Sequence, residues 1–233
     1  MKILKKFIPI LALTIAYFAQ AQISPGVYIA GKQGEAAATI KELKVTDNYL
    51  IHTVYESSPA NFIKTSGGYY TLEGEKINVA LEFNSDYEAD GLRKMSLAYK
   101  NSDDGLIIDG LTYVKQPSNK QDLDGQWLFG TRGPDTGQER RDDSKPRKTL
   151  KFLLDGHFQW IAYHTETFKF SGTGGGLFTS DQGKYIENIG FFSRDDSRVG
   201  AKLSFDYEIE GKDWHHKGNN SKGEPMYEIW ARR

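Results

Sequence analysis

The chain has 233 residues, with 30 Lys and Arg against 31 Asp and Glu, a formal net charge of −1 and no cysteine. Near-neutral charge argues against general nucleic-acid binding. Without cysteine there are no disulfides, no thiol chemistry and no cysteine-linked lipid anchor, so the fold must be held by its core.

In chain order, residues 1–21 read as a signal peptide. Lys2, Lys5 and Lys6 precede an apolar run from Phe7 to Phe18, and Ala19-Gln20-Ala21 is a small-x-small cleavage signal. The run is too short to span a membrane, and no later segment carries 18 apolar residues in a row. Cleavage would leave 212 residues, and loss of the three lysines would take the charge from −1 to −4. A periplasmic or secreted protein is expected. With 13 Tyr, 13 Phe and 24 Gly, the composition suits a β-rich secreted domain.

The rest of the chain reads as one domain written twice. Gly26-Val27-Tyr28-Ile29-Ala30-Gly31 lies over Gly125-Gln126-Trp127-Leu128-Phe129-Gly130, and Gly68-Tyr69-Tyr70-Thr71 over Gly176-Leu177-Phe178-Thr179. Phe83-Asn84-Ser85-Asp86 falls on Phe192-Ser193-Arg194-Asp195, Gly91 on Gly200, and Lys94 to Tyr99 on Lys202 to Tyr207. A shared order of glycines and apolar residues is a shared fold, and polar differences within it are where function should sit. The first copy spans 22–116, residues 117–124 form a polar linker with Pro117 at its edge, and the second copy spans 125–233.

Strand signals dominate both copies. Ile40 to Val45 matches a strand of the second copy. Leu150 to Asp155 and Phe158 to His164 flank an Asp155-Gly156 turn, a strong hairpin signal, with Asp47-Asn48 at the same place in the first copy. Tyr185 to Phe192 and Met226 to Ala231 are further runs, and Ala201 to Glu210 alternates apolar and polar in strict period two. No convincing amphipathic helix is present. The fold class expected is all-β: two tandem small antiparallel β-barrels of seven to nine strands each, since closure removes exposed edges. Gly172 to Gly176 reads as a glycine-rich hairpin or bulge, because neither a lysine-serine pair nor a helix follows it.

Polar differences concentrate in the second copy. Four of five histidines lie there: His157, His164, His215 and His216, against His52 in the first. Strand parity puts Phe158, Trp160 and His164 inward and Tyr163 outward, with Tyr55 of the first copy at the place of His164. Trp214-His215-His216-Lys217 replaces Gly105-Leu106-Ile107-Ile108, and its two histidines must face opposite ways on a strand. Tyr185 and Glu187, Tyr207, and Glu228 with Trp230 are other inward candidates. The loop from Thr131 to about Lys148, which carries Arg140 and Arg141, is longer than its counterpart from Lys32 to Thr39. It reads as a solvated surface loop or as a lid over a barrel mouth that attracts an anion. His164, Glu187 and Glu228 could complete a zinc site, but the spacing matches no metal motif, and neither metal nor other cofactor is expected.

With Gly125 to Trp127 at its start and Glu228-Ile229-Trp230 near its end, the second copy resembles the lipocalin-like (calycin-type) secreted proteins of marine Bacteroidetes. The resemblance covers about 110 residues well and the first copy more loosely. It extends to the oligosaccharide dehydratases of ulvan breakdown, and implies loss of water from a non-reducing-end uronic acid to leave a 4,5-unsaturated sugar. Such chemistry needs a base for the C5 proton, an acid for the leaving hydroxide, and cationic or hydrogen-bonding groups on the carboxylate. The expected acid and base are His164 and one of His215 or His216, with Tyr163, Tyr185 or Tyr207 assisting. Arg194, Arg140 and Arg141 would hold an anionic oligosaccharide, and Trp160 and Trp214 would give it aromatic platforms. The alternative is a non-catalytic barrel that carries a glycan or another small ligand. Oligomeric state is left open.

Overall fold

A computed structural model describes residues 22–31, 38–220 and 223–233; the signal-peptide reading and most of the first copy's short loop fall outside them. Two closed antiparallel barrels of eight strands each account for nearly all of it. In the first are β1 Gly26–Ala30, β2 Thr39–Val45, β3 Tyr49–Ser57, β4 Ala60–Glu73, β5 Lys76–Asn84, β6 Lys94–Ser102, β7 Gly105–Ile108 and β8 Leu111–Lys115. In the second are β9 Gly125–Arg132, β10 Arg147–Leu154, β11 His157–His164, β12 Phe170–Asp181, β13 Lys184–Phe192, β14 Lys202–Glu210, β15 Asp213–Asn219 and β16 Pro225–Arg232. Within each barrel every strand pairs with its chain neighbours, and the rings close through β1 with β8 and β9 with β16. Among the described residues, no helix is long and apolar enough to cross a membrane.

Local chemistry explains the hairpins. Asp155 and Gly156 both take positive φ, 49° and 77°, the requirement of a two-residue turn whose twist matches its strands. The glycine-rich run lies in β12, where pairing with β13 slips between Gly175 and Gly176. A Cβ on Gly176, at φ +153°, would stand 2.2 Å from the Asn188 carbonyl oxygen, so only glycine fits this bulge. The same slip occurs between Gly67 and Gly68 in β4.

These bulges fix how the copies correspond. Gly68 to Gly176, Val79 to Glu187 and Tyr99 to Tyr207 are all steps of 108 in residue number. Two sequence matches therefore move by one residue. The slip after Val54 in β3 matches the slip after Ala162 in β11, so Tyr55 corresponds to Tyr163 rather than to His164. Phe83, opposite Gly67, corresponds to Phe191, opposite Gly175, rather than to Phe192. The sequence match missed this because the second copy has one extra residue before Gly200 and one fewer between Gly200 and Lys202, so the step of 109 at Gly91 and Gly200 is confined to that turn.

The barrels pack through the same outer face of each, as an isologous dimer would. Phe83 packs against Tyr163 with tilted rings at 5.1 Å between centroids, and their counterparts Phe191 and Tyr55 meet at 4.8 Å. Gln159, fully buried, sits between them with all its capacity used. Its oxygen accepts from Lys44 and Thr53, and its amide donates to Thr65 and to that residue's counterpart Thr173. Glu42 lies in the same seam, beside Lys44 and His157. Burial alone would raise its pKa, but those two partners hold it at about 2.

Candidate active site in the second barrel

The lower interior of the second barrel is an aromatic floor: Trp127, Phe158, Phe178, Tyr185, Phe205 and Trp214, closed beneath by Leu123. Above it runs a polar belt. Lys151 comes from the middle of β10, on the interior face that it shares with Thr149 and Leu153, and only 7% of its side chain is exposed. Its ammonium donates to Glu187 Oε1 at 3.0 Å, and the Tyr185 hydroxyl donates to the same oxygen at 2.8 Å. The rings of Trp214, Tyr185, Trp230 and Phe205 stand 4.9, 5.0, 5.1 and 5.9 Å from that ammonium, each within cation–π range. Burial, and then the negative charge of Glu187, push the Tyr185 phenol well above its ordinary pKa. Tyr185 is therefore a proton donor at neutral pH.

On the opposite wall, β15 and β16 place His216 beside Glu228, with Nδ1 3.7 Å from Oε2. The Trp230 indole donates to that oxygen at 3.1 Å. Burial, reinforced by the charge of Lys151, lowers the His216 pKa to about 4, so the ring is neutral at pH 7. Burial works to raise the Glu228 pKa, but His216 and Lys151 hold it below its ordinary value. Both ring nitrogens of His216 and the indole nitrogen of Trp214 lack a hydrogen-bond partner among the described residues. Such orphaned buried groups are uncommon, and each asks for a partner. No group of three His, Cys, Asp or Glu side chains there has an arrangement suited to a metal ion.

The belt opens upward into a mouth of about 520 Å³, where Glu228 and Trp230 meet Phe129, Thr149, Arg132 and Arg141. The loop 133–146 crosses the rim here. Arg140 turns to the outer wall and pairs with Asp213 at 2.8 Å, while Arg141 lies over Phe129 at 5.0 Å. Thr149 also lines a neighbouring basic groove with Arg147, His164, Lys169 and Arg194.

The sequence candidates thus separate. Tyr185 and His216 meet in the belt, Trp214 is part of its wall, and Arg141 guards the mouth. Trp160 lines the upper interior, stacked edge-on with Phe192 at 5.4 Å. His164 and Arg194 sit together in the rim groove, where Arg194 donates to the Ser171 carbonyl. Four others lie elsewhere. Tyr163 faces the first barrel and donates to Glu82 at 3.0 Å. His215 is on the outer wall, 2.7 Å from the Tyr227 hydroxyl. Arg140 is taken by Asp213. Tyr207 bonds Asp122 beneath the floor. Lys151 was missed by sequence reasoning, because alternation along β10 puts it on one face with Arg147, Thr149 and Leu153, which does not read as a core face. No protein-family model and no curated protein matches this chain.

One comparison remains internal to the chain. At the positions of Lys151, Tyr185, Glu187 and His216, the first barrel carries Leu43, Ile77, Val79 and Ile108. Glu228 pairs with His216 as Leu111 pairs with Ile108. All five polar belt positions are thus aliphatic in a barrel of the same architecture.

Proposed function

We propose that the second barrel is the active site of a carbon–oxygen lyase acting on the uronic-acid end of an anionic oligosaccharide. The observation that carries this reading is the replacement of five aliphatic positions, four of them buried in the first barrel, by Lys151, Tyr185, Glu187, His216 and Glu228. The fold does not need these groups, since the sister barrel closes without them, and a buried ion pair is no better for stability than well-packed apolar residues. Clustered buried titratable groups with shifted proton affinities are instead a mark of function.

In this reading Phe129 and Trp230 give the sugar an apolar platform, and Arg141 meets its carboxylate at the mouth. Lys151 supplies positive charge where the carbanion develops. Neutral His216, backed by Glu228, takes the C5 proton; the C5 electron pair forms the C4–C5 double bond. The C4–O bond breaks, and the departing hydroxide takes a proton from Tyr185 to leave as water, with Glu187 positioning that phenol. One water is released and no oxidant or reductant is consumed. Secretion through the segment 1–21 would place the enzyme where polysaccharide fragments are found.

The test is purified protein with uronyl-ended oligosaccharides, followed by ultraviolet absorbance of the unsaturated uronate and a mass loss of one water. His216→Ala and Lys151→Met should each lower kcat by 100-fold or more, a loss typical of a removed acid–base or electrostatic group. Absence of product, or full activity in both variants, overturns the proposal. A second reading, glycan binding without turnover, is favoured by one feature: the open space lies at the mouth, above the belt. Retention of the oligosaccharide at constant mass would favour it.

A further inference from the structure

A groove of about 440 Å³ lies on the rim of the second barrel beside the mouth, and the proposed reaction makes no use of it. Arg147, His164, Lys169 and Arg194 line it, no acid does, and Thr149 belongs to both groove and mouth. The side chains of Arg147 and Lys169 have no ion-pair or hydrogen-bond partner among the described residues, whereas Lys148 is taken by Asp143 at 2.7 Å. Burial, and then the charge of Arg147, lower the pKa of Arg141, so like charges gather where groove and mouth meet.

The fold does not require this charge. By the same step of 108, the four positions correspond to Thr39, Glu56, Asn61 and Asp86 in the first barrel. Two acids and two neutral residues there give way to three full cations and a histidine here. Crowding like charges costs stability through self-repulsion, and it draws anions.

The hairpin that carries His164 and Lys169 is tied to the first barrel. Phe168, at φ 58°, lies in the left-handed region, which an aromatic residue adopts only where its surroundings hold it. Its ring is buried in the first barrel's hydrophobic cluster, 4.8 Å from the Tyr87 ring and 4.5 Å from the Arg93 guanidinium carbon. Arg93 also donates to the Glu166 carbonyl at 3.2 Å. Within the hairpin, the Thr167 amide donates to His164 Nδ1 at 3.3 Å. Ala60, which has no ring, stands at the position of Phe168 in the first copy. The contact thus breaks the likeness of the two barrels on the side where the basic groove lies.

We propose that the groove is an anion subsite for the sugar next to the uronic-acid end, held in shape by the first barrel through Phe168, an assignment that rests on reading the second barrel as an oligosaccharide site. Arg147, Lys169 and Arg194 offer charge-assisted hydrogen bonds to a carboxylate on that sugar. Phe168 is a positioning residue that keeps His164 and Lys169 at the groove.

The experiment is titration calorimetry of the full chain, carrying His216→Ala to prevent turnover, with two β1,4-linked probes. One is glucuronyl-glucose; the other, glucuronyl-glucuronate, adds a single carboxylate on the second sugar. The diacid should bind at least tenfold more tightly than the monoacid in dilute buffer, with the gap closing as salt is raised. Arg147→Gln/Lys169→Gln, at two exposed side chains, should erase the gap and leave monoacid affinity within twofold. Phe168→Ala should narrow the gap at least threefold, again with monoacid affinity held. Should Phe168→Ala fail to fold, Tyr87→Leu on the first barrel takes its place. Equal affinity for the two probes, or an undiminished gap in the double variant, would overturn the subsite. An undiminished gap in the Phe168 or Tyr87 variant would overturn the part given to the first barrel. A gap without product from the wild-type chain would remove the lyase and leave the subsite standing, and product without a gap would do the reverse.

Discussion

Lys151, the charge on which the proposed chemistry rests, is placed at a cost to stability. Only 7% of its side chain and 7% of that of Glu187 is exposed, so removing one partner strands the other charge. Lys151→Ala should lower stability by about 3–5 kcal/mol in denaturant unfolding. The triple change Lys151→Leu, Tyr185→Phe, Glu187→Val installs sister-like apolar residues and strands neither charge of the pair. It should be neutral or stabilising by ~1–4 kcal/mol, with turnover lost. A triple variant as unstable as Lys151→Ala would mean that the pair is structural.

His216 adds a dependence on pH. Its pKa is 6.5 in the unfolded chain and about 4 in the folded one. Between those values the unfolded chain takes up a proton that the folded chain refuses. Stability is therefore intact above pH 6.5 and falls as pH drops towards 4, by roughly 3 kcal/mol from this residue. His52 titrates in the same direction. His216→Phe should reduce the drop in Tm between pH 7 and pH 4.5; an unchanged drop would exclude His216 as its source.

At the scale of elements, the bulges are the parts that sequence patterning reads least well. Alternation along β11 placed Phe158 and Trp160 inward and the Asp155-Gly156 turn marked the hairpin, because period-two burial and turn chemistry are local. The slips at Tyr55, Tyr163 and Phe83 are not local. They depend on what the neighbouring strand does, and they shifted two sequence matches by one residue. Gly176→Ala should cost more than ~1 kcal/mol, since the Asn188 carbonyl leaves no room for a methyl group. A thermal shift smaller than that of Gly183→Ala, where the nearest atom is 3.5 Å away, would contradict this account.

For the whole molecule, the seam between barrels is the deciding feature. Two hydrophobic clusters draw buried residues from both copies, Tyr49 and Phe83 with Phe152 and Tyr163 in one, Val27 and Tyr55 with Phe191 in the other. Arg233 adds a clamp, donating to both oxygens of Glu82 at 2.7 and 2.8 Å and lying 3.1 Å from Asp143 of the rim loop. The barrels should therefore unfold as one unit. Phe83→Ala and its counterpart Phe191→Ala should each cost about 3–5 kcal/mol and lower a single calorimetric transition. Two resolved transitions, only one of them moved by either variant, would show independent barrels.

The sequence by itself determined the all-β class, the duplication, the inward placement of Tyr185, Glu187 and Glu228, and the opposition of His215 and His216 across a strand. All of these follow from alternation, turn residues and spacing along one stretch of chain. Only the tertiary structure decided that Lys151 joins Glu187, that Tyr163 belongs to the seam, and that Arg141 rather than Arg140 reaches the mouth. It also decided that Phe168 packs into the first barrel. Those facts depend on barrel closure and on the packing of one barrel against the other, which bring together side chains up to 151 positions apart, as with Glu82 and Arg233. No local pattern encodes that meeting.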